Sequence, residues 1–451
     1  MNIRILFAKW VGPIAASSAM IWLSPALASD EAERIKALER QLEISLQLIE
    51  KLSSRVADLE RMAKPVATKT EPDANTPRTE QRPESARLQA GVTPVSEAQS
   101  RREHDSGLAL HGFADVGGVW SAGADPLKQR GFTVGTLDLY LTPQFSDRVS
   151  ALVEIAFEFD ENGHGVADME RLQLGYAVSD AMTVWLGRFH TPLGLWNTSF
   201  HHGAILQTSI SRPRFVEFED QTGILPVHSV GVWATGKLPL GADKITYDAY
   251  LSNGTRIRQR HLDPTRVGLG NDSKLLGFNL GYQPAGALGG LTVGVHGFGS
   301  TVKALSAAGG LLSSTRVRAV GGYWAYDAND WEALGEYYRF DNADTGAGTR
   351  YASNAWYAQV GRVFGSLTPY VRFERASLNP DDNFFRTQNA GRSYERGVIG
   401  ARYAMDSRSA IKLELSRTVE TSITQLDENG AQVPFAGGPY RRAAFQYSIA
   451  F

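Results

Sequence analysis

The stretch Ala443-Ala444-Phe445-Gln446-Tyr447-Ser448-Ile449-Ala450-Phe451 decides the fold. Read with a period of two, Ala443, Phe445, Tyr447, Ile449 and Phe451 share one face, while Ala444, Gln446, Ser448 and Ala450 share the other. That is a strand with one wholly apolar face and one small, polar face. In a soluble protein such a strand at an open edge invites pairing with other chains. A closed barrel in lipid has no edge, and its apolar face looks at acyl chains.

The same dyad alternation runs from Leu108 to Phe451. Leu137, Leu139 and Leu141 alternate with Asp138, Tyr140 and Thr142; Val153, Ile155 and Phe157 alternate with Glu154 and Glu158. Val371 and Phe373 alternate with Tyr370, Arg372 and Glu374, and Ile411, Leu413 and Leu415 with Lys412, Glu414 and Ser416. Strands are predicted near 108–121, 132–145, 149–160, 166–178, 182–189, 227–238, 243–252, 273–283, 290–300, 314–326, 330–341, 351–363, 367–378, 393–404, 408–419 and 441–451. Tight turns such as Ser146-Asp147-Arg148, Ser179-Asp180-Ala181, Asp327-Ala328-Asn329, Phe364-Gly365-Ser366 and Asp406-Ser407 separate some of them. Longer Gly-, Asn- and Asp-rich loops, at 121–131, 190–226, 253–272, 342–350, 379–392 and 420–440, separate the others.

Short turns on one rim and long loops on the other is the layout of a transmembrane barrel, with the long loops outside the cell. About 16 strands is the size at which the lumen stays an aqueous channel, and an even count puts both chain ends on the periplasmic rim. A soluble β-sandwich or propeller pair would show alternation strand by strand. It would not carry Glu154, Glu158, Asp248, Arg316, Arg318, Glu332, Glu336, Arg372, Glu374, Lys412, Glu414 and Arg442 on one enclosed face. The expected fold class is therefore all-β: a transmembrane antiparallel β-barrel of about 16 strands over residues 108–451, preceded by an α-helical coiled coil. Trp120, Trp331, Tyr337, Trp356 and Tyr447 are candidates for interfacial aromatic girdles, or for ordinary sheet packing.

Residues 1–28 read as an export signal: Arg4 and Lys9, then a mostly apolar stretch, then the small-x-small site Ala26-Leu27-Ala28. Its removal takes the formal net charge from −2 to −4, a near balance that argues against a nucleic-acid partner. Within residues 29–63, Ile35, Leu42, Ile49, Val56 and Ala63 occupy heptad position a, and Leu38, Ser45, Leu52 and Leu59 position d. Leu46 and Leu48 widen the stripe toward three strands, and Pro65 ends it. The competing reading is an amphipathic helix folded back on its own domain. Residues 64–107 contain Pro65, Pro72, Pro77, Pro83 and Pro94 without one aromatic, the composition of a disordered tether.

The longest insertion in the strand-rich body, residues 190–226, is the third long loop. A structureless loop of that length in a compact body is usually functional. His190, His201, His202, Arg212, Arg214, Glu217, Glu219 and Asp220 are its candidate solute-facing groups. Charges ringing a narrow point discriminate by sign and size. Ser211-Arg212-Pro213-Arg214 also reads as a loop corner whose arginines pair with the acids downstream. Histidines at 190, 201, 202 and 228 raise a metal site. Adjacent His201 and His202 on an extended chain point in opposite directions, however, so polar lining of a wet passage is the reading preferred and no metal or cofactor is expected.

Catalysis finds little support. The chain has no cysteine, no Gly-rich phosphate loop ahead of a helix, no His-Glu-x-x-His and no Gly-x-Ser-x-Gly elbow. No enzymatic activity is expected.

With these residues set out, the chain resembles the trimeric bacterial outer-membrane porins, within them the porin O/P and DcaP-like types. The segment Leu186-Gly187-Arg188-Phe189-His190-Thr191-Pro192-Leu193-Gly194 resembles the opening of the constriction loop in the phosphate-porin group. The last strand resembles the terminal strand of outer-membrane barrels, which finishes on an aromatic. An N-terminal periplasmic coiled coil before the barrel resembles the DcaP-like type. The resemblance implies a homotrimer in the outer membrane that passes small hydrophilic solutes through a barrel narrowed by its third loop. Anionic solutes are expected, with Arg188, Arg212, Arg214, Arg316, Arg318, Arg372 and Arg442 as the attracting wall and Glu217, Glu219 and Asp220 opposite. The inner face mixes acids with bases, however, unlike the dense cationic ladder of phosphate porins. The alternative function is a structural envelope protein whose coiled coil engages periplasmic or cell-wall partners.

Overall fold

The computed structural model describes residues 110–159, 165–201, 203–219, 223–263 and 273–451. The expected export signal, coiled coil and linker, at 1–28, 29–63 and 64–107, lie outside the described residues, as do His202 and Asp220.

One sheet carries the fold. β1 (Leu110–Gly123), β2 (Arg130–Leu141), β3 (Val149–Phe159), β4 (Gly165–Ser179), β5 (Met182–His190), β6 (His228–Leu240) and β7 (Asp243–Asn253) pair in sequence order. A loop hairpin follows, β8 (Arg256–Arg258) with β9 (His261–Asp263). Then come β10 (Lys274–Gln283), β11 (Leu291–Leu305), β12 (Leu311–Ala328), β13 (Trp331–Asp344), β14 (Arg350–Arg362), β15 (Leu367–Ser377), β16 (Tyr394–Ala404) and β17 (Ser409–Glu420). After a second hairpin, β18 (Ile423–Leu426) with β19 (Gln432–Phe435), β20 (Pro439–Ala450) returns to the start. It pairs with β17 on one side and β1 on the other. Setting β8 and β9 aside, sixteen antiparallel strands close into a barrel. Each falls on one of the sixteen predicted segments.

The seam lies where the decisive strand was read. Phe113 faces Ala450 and Trp120 faces Ala443, and Gly112 and Phe451 exchange backbone hydrogen bonds of 3.0 and 3.1 Å. Gly112 serves the join sterically, since a Cβ there would lie 2.4 Å from the Phe451 ring and 2.8 Å from the Asp138 carbonyl oxygen. At the opposite extreme of connection length, Asn329 and Asp330 alone join β12 to β13, both with positive φ (53° and 62°). That backbone matches the right-handed twist of a hairpin.

Alternation places charge inside and hydrocarbon outside. Leu413 and Leu415 are 61% and 59% exposed, whereas Lys412 and Glu414 between and beside them are 0% and 4% exposed. Arg372 and Glu374 are likewise buried and Val371 and Phe373 exposed. Trp120, Trp331, Tyr337 and Tyr447 stand on the exposed face. Inside, several aromatic rings lie over a glycine directly across the ladder: Tyr250 over Gly277, Tyr323 over Gly294 and Tyr370 over Gly400.

The interior is not uniformly polar, which corrects a simple water-filled picture. Leu193, Leu195, Trp196, Phe215, Val216, Ile224 and Leu225, all from the segment between β5 and β6, join Phe189, Tyr250, Tyr338, Phe340 and Tyr357 of the wall in one apolar cluster. Burial of each large side chain contributes about 1.5–3 kcal/mol, so this cluster docks the segment on the inner wall.

Gly112→Val should wedge the seam open. Overpacking of this kind costs about 1–3 kcal/mol, and the check is a lowered melting temperature of the purified barrel with the parent's strand content.

Candidate functional site

The segment from Thr191 to Val227 is held by its neck, by its apolar side and by three wall carboxylates. At the neck, Thr191 N–H donates to Val227 O (2.8 Å), and the Asn197 amide nitrogen donates to both Thr191 O (2.8 Å) and Val227 O (3.0 Å). Glu219 closes the other end, its carboxylate accepting from the backbone N–H groups of Val227 (2.8 Å) and His228 (3.0 Å).

Glu336 on β13 is the first wall anchor. It accepts from Leu195 N–H (3.0 Å) and Trp196 N–H (2.7 Å), at the start of the short helix α1 (Trp196–Ser199), and from the hydroxyls of Tyr338 (2.8 Å) and Tyr357 (2.7 Å). Four donors satisfy a carboxylate that water does not reach. Gly194 makes the approach possible: its φ is +68°, and a Cβ would lie 2.0 Å from Glu336 Oε2. Glu414 on β17 is the second anchor, accepting from Ile210 N–H (3.0 Å), Ser211 N–H (3.1 Å) and the Ser211 hydroxyl. Glu374 on β15 is the third, accepting from Arg214 N–H at 2.8 Å.

Wall cations complete the docking through the segment's carbonyl groups. Lys412 Nζ donates to the carbonyl oxygens of Ala204, Gln207 (2.7 Å) and Ser209 (3.2 Å). Arg372 donates to Ser211 O (2.8 Å), Arg212 O (3.2 Å) and the hydroxyls of Ser209 and Ser211, while holding Glu374 at 2.9 Å. Arg396 reaches the Ser211 hydroxyl at 2.8 Å.

The candidate arginines accordingly have different places. Arg212 donates to His201 O (2.7 Å) and twice to Val216 O, and its guanidinium lies 4.2 Å over the Phe218 ring. Arg214 pairs with Glu420 and sits over Tyr394, so its partner is a wall acid and not one of the acids downstream in the loop. Arg188 contacts Asp168 and Glu170, and Arg442 makes a two-pronged pair with Asp125 at 2.6 Å. Arg316 and Arg318 are corrections: both lie on the exposed face of β12. They share that face with the exposed Val320 and Trp324, while Val317 and Ala319 point inward and join Phe384 and Phe385, on the short helix α2 (Asn383–Arg386) of the 378–393 loop, in the apolar cluster.

A cavity of about 290 Å³ remains between the segment and the wall formed by β1, β2, β17 and β20. Its charged lining comprises Arg212, Arg396 and Arg442 together with Asp115, Asp138, Glu217 and Glu414. Burial pushes the Glu217 carboxyl above its usual range, against the pull of Arg212. His190, His201 and His228 meet beside Glu170, with His190 and His201 stacked at 3.5 Å. Sequence reasoning passed over Glu336, Glu374, Glu414, Lys412 and Arg396 as site residues. The first four stand on clearly alternating strands and were legible as inner-face charges. Arg396 lies on β16, where alternation is weak.

No family model matches the chain, and no curated protein matches it in sequence. Solved structures do match in fold. OmpT, an outer membrane protein of Vibrio cholerae in its trimer form, superposes with a TM-score of 0.50 at 11% identity, over 76% of this chain and 99% of that one. An anion-selective porin from Comamonas acidovorans gives 0.50 at 13% identity, over 76% and 99%. OprB of Pseudomonas putida gives 0.50 at 11% identity, over 76% and 94%. The barrel thus has the sixteen-stranded porin fold.

Glu336→Ala would leave two backbone N–H groups and two tyrosine hydroxyls without their acceptor, at about 1–3 kcal/mol for each that stays buried. The expected result is a released segment: trypsin cleaves the variant after Arg214 under conditions in which the parent barrel is intact.

Proposed function

We propose that this protein is an outer-membrane porin, a passive channel for small hydrophilic solutes. The observation that carries the reading is the inversion of the sheet, with leucines and valines exposed where acyl chains would lie and carboxylates, arginines and a lysine enclosed. The fold shared with known porins supports it. In this reading solutes pass between the docked segment and the wall of β1, β2, β17 and β20, and the segment is the constriction. The barrel assembles as a homotrimer, with residues 1–28 as export signal, 29–63 as a periplasmic coiled coil and 64–107 as its linker.

Anionic solutes are preferred in this proposal only where protonation offsets the acids of the lining. Arg212, Arg396 and Arg442 face four carboxylates across the cavity, an excess of one negative charge when all are ionised. Burial raises the Glu217 pKa. A raised carboxylate pKa means that the proton is retained to higher pH, so acidification removes negative charge from the lining at Glu217.

Reversal potentials in a planar bilayer under a KCl gradient test both parts. The expected outcome is a conducting pore whose chloride-over-potassium preference grows as pH falls from neutral, with the pH dependence flattened in Glu217→Gln. Potassium preference across the whole pH range would overturn the anion assignment, and a folded barrel that inserts without conducting would overturn the channel.

A further inference from the structure

We propose that Glu170, His190, His201 and His228 form a site for a divalent transition-metal ion of the zinc class, joining the docked segment to the barrel wall. Glu170 comes from β4, His190 from β5 and His228 from β6, while His201 lies on the segment itself. One ligand atom from each lies within 4.8 Å of all the others. Three imidazoles and a carboxylate are a zinc-type donor set.

The hydrogen bonds around the cluster set the proton positions. The Asn197 amide nitrogen spans two carbonyl groups, Thr191 O and Val227 O, so its oxygen faces His201 Nδ1 at 2.6 Å and must accept from it. Glu219 Oε2 likewise accepts from His228 Nδ1 at 3.0 Å. With both Nδ1 atoms protonated, the Nε2 atoms of neutral His201 and His228 carry lone pairs. They point at each other at 2.9 Å, and Glu170 Oε2 lies 2.6 Å from His228 Nε2. Three electron-rich atoms converging in a buried place require a cation among them. The two candidates are a proton shared along the cluster and a metal ion bound at its centre.

The metal assignment rests on the fourth ligand and the outer partners. His190 stacks parallel on His201 at 3.5 Å and brings a third imidazole to the cluster, its Nε2 also 3.4 Å from Glu154 Oε2. Asn197 and Glu219 hold their histidines as outer carboxamide and carboxylate partners orient metal ligands. Tetrahedral bonds of about 2.0–2.2 Å place ligand atoms about 3.4 Å apart, so the close pairs separate and the wider ones contract by side-chain rotation within the cluster. The ion would fasten a wall of three strands to His201, four residues beyond the amide that gathers the segment's two ends. This inference stands whether or not the barrel conducts.

Co2+ titration of the chelator-stripped full-length protein in detergent tests it. The expected result is one Co2+ per chain with the intense visible absorption of a tetrahedral N/O site, displaced by Zn2+. His201→Gln and His190→Gln should each weaken uptake at least tenfold, and Asn197→Ala, which removes an outer partner together with the neck's amide, by about 10–100-fold. His111→Gln, on β1 outside the cluster, should bind like the parent. Heat-modifiable migration on gels confirms that each variant is a folded barrel. No stoichiometric uptake by the folded parent overturns the proposal and assigns the cluster to a proton. Uptake that survives both His201→Gln and His190→Gln overturns it equally.

Discussion

A carboxylate shut away from water must be given donors, and in this barrel the donors are backbone N–H groups of the chain's own loop. Glu336, Glu374 and Glu414 stand on alternate strands of the wall, β13, β15 and β17, and each accepts from a different stretch of the inserted segment. Lys412 and Arg372 do the complementary work on its carbonyl groups. Wall and segment therefore satisfy each other. Removal of either side would leave buried charge without compensation, which is far more costly than the pairing is favourable.

The apolar cluster fixes where the segment's aromatic residues meet the wall. Trp196 and Phe215 pack on Tyr338 and Tyr357, whose hydroxyls turn to Glu336. One pair of tyrosines thus serves both halves of the contact, rings to the apolar cluster and oxygens to the charge. Position is set by hydrophobic contact and register by directed hydrogen bonds, a division that follows from the first being non-directional.

Much of this was legible in the chain. Period-two alternation located all sixteen strands, and the lengths of their connections singled out the segment after β5. The inner-face charges on β13, β15 and β17 followed from the same parity, because a strand has only two faces. Parity does not say which of the two faces is the inner one. Arg316 and Arg318 were assigned inward, yet they share the outer face of β12 with Val320 and Trp324, while Val317 and Ala319 meet Phe384 and Phe385 of a distant loop inside. Arg212 and Arg214 were read together, but their partners, a loop carbonyl and Glu420, lie close only after folding. The histidine argument compared neighbours in sequence, His201 with His202, whereas the rings that meet come from three strands and a loop. Long-range convergence of this sort leaves no trace in spacing.

The glycines beneath Tyr250, Tyr323 and Tyr370 carry a consequence for the size of the interior. A ring that lies flat over a neighbour lacking a side chain occupies the thickness of the sheet and little of the room beyond it. Put a methyl group under the ring and the tyrosine must stand up into that room. The bore of such a tube is then partly written in residues that have no side chain at all.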